Sequence, residues 1–506
     1  MTLEDCRKVK ALIGLRKNRA FYVWIVIVKE WLVIMMKFFK QIDLTKGKPW
    51  KVIILFAIPV FLSLILSNAF SLINSLVLKT TVGGNSVTAI SSTSSISAIL
   101  FQFAYGCSGG FATLTSADYG NKDFKSVRKT FYNGIYLSLV IGLFITILGL
   151  LVYKDLLIFL DVDAIYFDKA AQYYFIILIS FVFLLMSNYF ANTLRAMGDS
   201  TAPLLISFVS TAINVVMAFL LTGVIRLDTR GVAIATVLAN VVNVVVTIIY
   251  IFKKYDYLDL RNGLEKFDSK ICSTLLKLGI PLGLQWSILF VGSFFQSKTV
   301  NGFGPEATKA AGCFSSIEGY LMMPISAISS AFLSFVGQNY GNGNIKRIKK
   351  GIGQAMLINI VTWIFIIIFG FLIIDYVPYI FLPIEEVNDH ISGPLIKYYC
   401  STYLKVVIPL IIFQGILTVC RSTLQGIQKP LIPFISGIGE LFTRLSICLL
   451  LPSIVNPLNP ISNESFISVC FSNPGAWFTS ILIMGGSTLY FYFNKTNELV
   501  LGHFEE

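Results

Sequence analysis

Three ionisable residues stand within otherwise apolar stretches of this 506-residue chain: Glu318, in the run Ser315-Ser316-Ile317-Glu318-Gly319-Tyr320, and Glu440 and Arg444, four positions apart. A charge at membrane depth costs at least about 2.5–3.5 kcal/mol, so each one needs a partner or a purpose. A carboxylate in a low dielectric can exchange protons near physiological pH, and paired carboxylates can instead ligate Na+. These residue types predict that Glu318 and Glu440 form a cation-coupling switch, biased by Arg444 as it exchanges partners with either acid or with an anionic substrate group. The competing expectation is a structural ion pair, because Glu440 and Arg444 sit at i and i+4 with the acid on the favourable N-terminal side.

Neutral polar residues in the same stretches are candidates for a substrate cavity. Asn74, Asn214, Gln285, Gln296 and Tyr320 read either as groups that hydrogen-bond a substrate or as bonds between helices. Phe101, Phe103, Tyr105, Trp286 and Tyr320 could stack on flat organic cations, although in a chain with 14% aromatic residues packing alone accounts for any one of them. Catalysis finds no comparable support. The two histidines, His390 and His503, fall in a loop and the tail, and the eight cysteines show no CxxC spacing, so no metal site, cofactor or enzymatic activity is expected. No Walker-type glycine loop is present, which leaves an ion gradient, H+ or Na+, as the source of energy.

Membrane helices must position these groups. The chain is 55% hydrophobic and only 13% charged, against about 25% charged in an ordinary soluble domain. A span needs about 20 mainly apolar residues, and suitable windows run Val52 to Leu78, Val87 to Leu114, Phe131 to Val152, Ala170 to Phe190, Pro203 to Leu221 and Gly231 to Ile251. A second set runs Leu278 to Phe295, Ala310 to Val336, Ala355 to Ile374, Tyr398 to Val419, Leu431 to Leu451 and Ala476 to Tyr492. The net charge of +13 resides in alternate connections, as at Lys122 to Lys129, Lys253 to Lys270, Lys346 to Lys350, and Arg421 with Lys429. The intervening connections are acidic or neutral, with Asp155, Asp161, Asp163 and Asp168 in one and Glu385, Glu386 and Asp389 in another. The positive-inside rule then predicts a multi-pass protein of the plasma (inner) membrane with both termini cytoplasmic, and the loop lysines account for the charge without a nucleic-acid partner.

Residues 1–50 read as a cytoplasmic N-terminal extension. Phe21 to Phe39 is apolar, but Lys29-Glu30 interrupts it, so the segment is either an interfacial amphipathic helix or lies upstream of a true start at Met35 or Met36.

The second half of the chain echoes the first. Tyr119-Gly120-Asn121 returns as Tyr340-Gly341-Asn342 at an offset of about 221, and Ala57-Ile58-Pro59 matches Gly279-Ile280-Pro281 at about 222. Thr193-Leu194 and Pro203 return as Thr423-Leu424 and Pro433 at about 230. The expected architecture is an all-α integral membrane protein of about twelve transmembrane helices, in two six-helix bundles related by a parallel pseudo-twofold repeat. Its parts are an N-lobe at 51–253, a cytoplasmic linker at 254–277, a C-lobe at 278–493 and a cytoplasmic tail at 494–506, with the cavity on the axis between lobes. Pro59 and Pro281 mark either hinges or static kinks in the first helix of each lobe, and Gly120 and Gly341 are expected as helix C-caps.

These motifs together resemble the multidrug and toxic compound extrusion (MATE) family. The resemblance rests on Leu44-Thr45-Lys46-Gly47 leading into Ala57-Ile58-Pro59, on Leu194-Arg195-Ala196-Met197-Gly198-Asp199-Ser200 with Pro203 and Asn214, and on Gly231-Val232-Ala233-Ile234-Ala235-Thr236. Val336-Gly337-Gln338-Asn339-Tyr340-Gly341 and Pro474-Gly475-Ala476-Trp477 extend it to the last helix. It implies a cation-coupled antiporter, working as a monomer in the lipid bilayer on a small-molecule substrate. The aspartate usual in the family's first helix is replaced by Asn74, and Met217-Ala218 stand where a second acid is common, so coupling is expected in the C-lobe. The function implied is export of amphiphilic or cationic organic compounds in exchange for H+ or Na+. The alternative is a flippase for a lipid-linked saccharide, which calls for a strongly basic cavity.

Overall fold

Long apolar runs form long helices here because backbone N–H and C=O groups in a bilayer must be satisfied within their own segment. In the computed structural model, which describes residues 41–82, 84–159 and 162–493, the first half comprises α1 (Pro49–Thr81), α2 (Gly84–Ser92), α3 (Ser94–Gly120), α4 (Phe124–Phe159), α5 (Ala164–Ala196), α6 (Thr201–Phe219) and α7 (Asp228–Lys254). The second comprises α8 (Ser269–Asn301), α9 (Pro305–Gly341), α10 (Ile345–Ile373), the short α11 (Val377–Phe381) and α12 (Ile384–Val387), α13 (Ser392–Gly426), α14 (Leu431–Val455), α15 (Asn463–Cys470) and α16 (Ser472–Phe493). Among the described residues, eleven helical stretches are long and apolar enough to cross a membrane, or twelve when α2 and α3, bent by 48° at their junction, count as one. The bend falls at Thr93, whose hydroxyl donates to the Ile90 carbonyl at 2.8 Å, a back-bond that competes with the helix ladder. Helix starts are fixed by side-chain caps: Asp163 accepts from Ile165 N, Asp268 from Lys270 N and Ile271 N, and Asn344 from Arg347 N.

Within each half the helices pack against one another, α5 against α3, α4 and α7 in the first, and α13 against α9, α10 and α16 in the second. The halves meet where α3 lies along α8 and α1 along α9. Large apolar side chains such as Phe144, Leu151, Phe365 and Leu372 point outward, where a bilayer would solvate them.

At the end of the bundle that carries the basic connections, α3 and α9 cross in backbone contact. A Cβ on Gly120 would fall 1.9 Å from the Gln338 carbonyl oxygen, and one on Gly341 would fall 1.9 Å from that of Ala117. The two contacts are reciprocal: Ala117 and Gln338 are separated by the same interval as Gly120 and Gly341, so the pseudo-twofold axis passes through this crossing. The expectation that these glycines are C-caps is corrected. Asn121 and Asn342 occupy the caps in right-handed conformations, and the glycines are needed because no side chain fits between the helices.

Residues 42–48 form a strap across the same end. Ile42 N donates to the Gly198 carbonyl of the first half at 3.0 Å, while Leu44 N donates to Gln338 Oε1 of the second at 3.3 Å. Gln338 Nε2 reaches back to the Ala196 carbonyl at 2.7 Å, and Asn339 Nδ2 donates to the Leu44 carbonyl at 3.1 Å. The Arg347 guanidinium closes the turn by donating to the carbonyls of Gly47, Leu44 and Lys46. One short segment thus binds both lobes where they converge.

Candidate functional site

A cavity of about 900 Å³ is lined mainly by α8, α9, α13, α14 and α16 of the second half, with Ser95 and Gln102 of α3 contributed by the first, and Glu318 lies on its wall. The carboxylate is held by groups from two other helices. Tyr403 Oη, from α13, donates to Glu318 Oε2 at 2.8 Å, and Asn473 Nδ2, from α16, donates to Oε1 at 2.9 Å. Asn473 Nδ2 also lies 3.0 Å from Tyr403 Oη, and Gln296 Nε2, from α8, lies 3.4 Å from the same hydroxyl. Phe314 stacks on the Tyr403 ring with centroids 3.7 Å apart, which fixes the phenol in place. Gln296 and Glu318 are thus brought into one network, as residues of a single cavity wall. Tyr403 and Asn473 are the members that sequence reasoning missed; the available signal was that Asn473 immediately precedes Pro474-Gly475-Ala476-Trp477.

Glu440 lies elsewhere. It is 2% exposed, receives Arg421 Nη2 at 2.6 Å and the Ser480 hydroxyl at 2.7 Å, and Ser480 is bonded in turn to Ser436. The expected pairing of Glu440 with Arg444 along one helix is corrected. Arg421, placed by sequence in a basic connection, is instead buried within α13 with its guanidinium over the Trp286 ring, and it outcompetes Arg444 by facing Glu440 across the helix interface. Arg444 turns toward α8, where Nη1 donates to Ser293 Oγ at 2.8 Å and to the Leu289 carbonyl at 3.3 Å. Gly292 leaves it room: a Cβ there would stand 3.1 Å from Arg444 Cδ.

The remaining candidates are scattered. Gln285 is fully buried and accepts from Gln425 Nε2 at 3.4 Å, away from the Glu318 cavity. Tyr320 is half-buried and lies outside that lining. Asn214, in α6, has its Nδ2 3.5 Å from Thr236 Oγ1, and the Asn74 side chain lies outside the described residues. Helices α1 and α8 continue unbroken through Pro59 and Pro281. Among the described residues, no three His, Cys, Asp or Glu side chains gather as metal ligands.

The arrangement is a cavity of mixed polar and apolar lining with one acid on its wall, and among the residues that line it no nucleophile is paired with a base for covalent chemistry. The MatE family model matches residues 59–220 and 281–450, one block in each lobe. Among curated proteins, the chain is 28% identical over 311 residues to the probable multidrug resistance protein YpnP of Bacillus subtilis, covering 61% of this chain and 69% of that one. It is 26% identical over 338 residues to the probable multidrug resistance protein YoeA of the same organism, covering 65% and 72%. Among solved structures, the fold matches the outward-facing conformation of a multidrug resistance MATE family transporter with a TM-score of 0.78 at 20% identity, covering 89% of this chain and 98% of that one. With both lobes matched in order, the chain belongs to the MATE family of multidrug efflux transporters.

Proposed function

We propose that the protein is a secondary active antiporter of the plasma membrane that exports amphiphilic organic compounds in exchange for H+ or Na+, with Glu318 taking up the coupling cation. The observation that carries this reading is that Glu318 is the carboxylate on the wall of the large cavity, bonded to groups from two other helices. An ionised carboxylate only accepts hydrogen bonds, whereas a protonated one must also donate. Proton uptake therefore forces Tyr403 and Asn473 to rearrange, which would couple the charge state of α9 to the positions of α13 and α16. Na+ would act on the same oxygens, with the Tyr403 and Asn473 oxygens as further ligands. Glu440, locked to Arg421, serves as a structural tie beside this switch.

The positive-inside distribution of the basic connections supports a cytoplasmic position for the strap and the α3/α9 crossing, and with it cytoplasmic termini and an outward-facing cavity. Pro59 and Pro281, which each remove one backbone hydrogen bond from a continuous helix, are the positions at which the first helix of each lobe would change shape during exchange, and a monomer suffices for the cycle. Purified protein in liposomes, given a pH or a Na+ gradient separately, tests the reading. Substrate movement driven by one gradient and abolished in Glu318→Gln is expected. Movement that persists in the folded variant would remove Glu318 from the mechanism, and no movement under either gradient would favour the flippase for a lipid-linked saccharide.

A further inference from the structure

Arg444 is a buried guanidinium with no acid on it. Its residue is 7% exposed, it makes no ion pair among the described residues, and its Nε is buried without a hydrogen-bond acceptor. Arg421, one helix away, also has a buried Nε without an acceptor, but its charge is met by Glu440, which Nη2 reaches at 2.6 Å. Glu318 is near enough for its charge to be felt, but the groups Arg444 hydrogen-bonds are neutral; a buried cation without a bonded acid is unfavourable, and the cost is offset when an anion arrives. Arg444 lies on the wall of the same cavity as Glu318, and Lys298 stands on that wall too. Both oxygens of Glu318, the lining's single acid, are already engaged by Tyr403 and Asn473. The lining therefore holds two cations against one occupied carboxylate. Phe290, Phe294, Phe314 and Trp477 give it an apolar surface as well.

We infer that the cavity binds amphiphilic organic anions, with a carboxylate, sulfonate or phosphate group held between Arg444 and Lys298 and an aromatic or aliphatic body against the phenylalanines. The inference deepens the antiporter reading by naming its substrate class, and it rests on that reading for the direction of transport. An anion at Arg444 would also stand near enough to Glu318 to favour the protonated carboxyl, so substrate and coupling proton would occupy the cavity in linked fashion.

Two probes with one fluorophore and opposite charge test the assignment: N-dansylglycine and dansyl-ethyltrimethylammonium. Binding to the full chain in lipid nanodiscs, without a gradient, is followed by fluorescence anisotropy. The carboxylate probe is expected to bind at least about tenfold more tightly than the cationic one. Arg444→Gln and Lys298→Gln should each weaken it about tenfold, with Arg444→Lys restoring most of the loss. The inference is overturned if the cationic probe binds as tightly, if neither binds above empty discs, or if both glutamine variants, eluting as folded protein, keep wild-type affinity for the carboxylate. Because binding is read without a gradient, a failure of Glu318→Gln to stop transport would strike the coupling assignment and leave this one standing.

Discussion

Removing one partner of the Glu440–Arg421 pair strands the other charge in the core of the C-lobe, at 2% and 4% exposure. Glu440→Ala or Arg421→Ala should each lower stability by about 3–5 kcal/mol, the cost of an uncompensated buried charge. Replacing both with leucine should recover most of it. Thermal unfolding of the single and double variants in detergent checks this, and additive losses would mean that the pair is not coupled. Glu318 stood out in the sequence because an acid in an apolar window is costly wherever it lies. Its partners were not, since Tyr403 is 85 residues away and Asn473 155, and a neutral tyrosine or asparagine costs little enough to be common in such windows. Arg421 misled for a related reason: it lies near the end of α13, where a basic residue usually marks a loop.

Helix existence was legible from hydropathy, but helix contact was not. The apolar windows located the spans, whereas the break at Thr93, the α3/α9 crossing and the strap depend on hydrogen bonds and close approaches between distant segments. The crossing predicts that Gly120→Leu or Gly341→Leu wedges the basic end open, because either side chain would meet backbone that cannot yield. Transport should fall more than about tenfold, in the range expected for steric overpacking of a rigid contact. A Leu44→Cys reporter, introduced into a chain without its other cysteines, should change from protected to reactive toward a water-soluble maleimide. Arg347→Ala should raise the same reactivity by releasing the carbonyls of the strap. Asp43, within the strap, is pushed up by burial, but hydrogen bonds from Thr45 and Lys46 outweigh this and hold its carboxyl below the ordinary value. A depressed folded pKa contributes stability above the unfolded value and loses it as pH falls through the folded one. Reporter protection should therefore be constant through neutral pH and decline only below about pH 4; a decline near neutrality would show that Asp43 does not set it.

Within residues 42–493 the basic end is closed by the α3/α9 crossing and the strap, while the Glu318 cavity lies in the second half; under alternating access the two halves would have to part at that crossing. Sequence duplication made the two-lobe plan readable, and its offset reappears in the reciprocal contacts of Gly120 and Gly341. The chemistry is less symmetric than the architecture. Glu318 and Arg444 have only Ser97 and Asn214 at the matching positions of the first lobe, so these two charges are not duplicated by the repeat. The strap adds a constraint in time. Leu44 is among the first described residues to leave the ribosome, yet the side chain that receives its N–H lies 294 positions later. At about 5–20 residues per second, that acceptor is made roughly 15–60 s after Leu44. During that interval the strap can reach its first-lobe partner, the Gly198 carbonyl, but not its second-lobe acceptor. Closure of the basic end is thus a late event of biosynthesis, available only to a chain whose second lobe has been inserted.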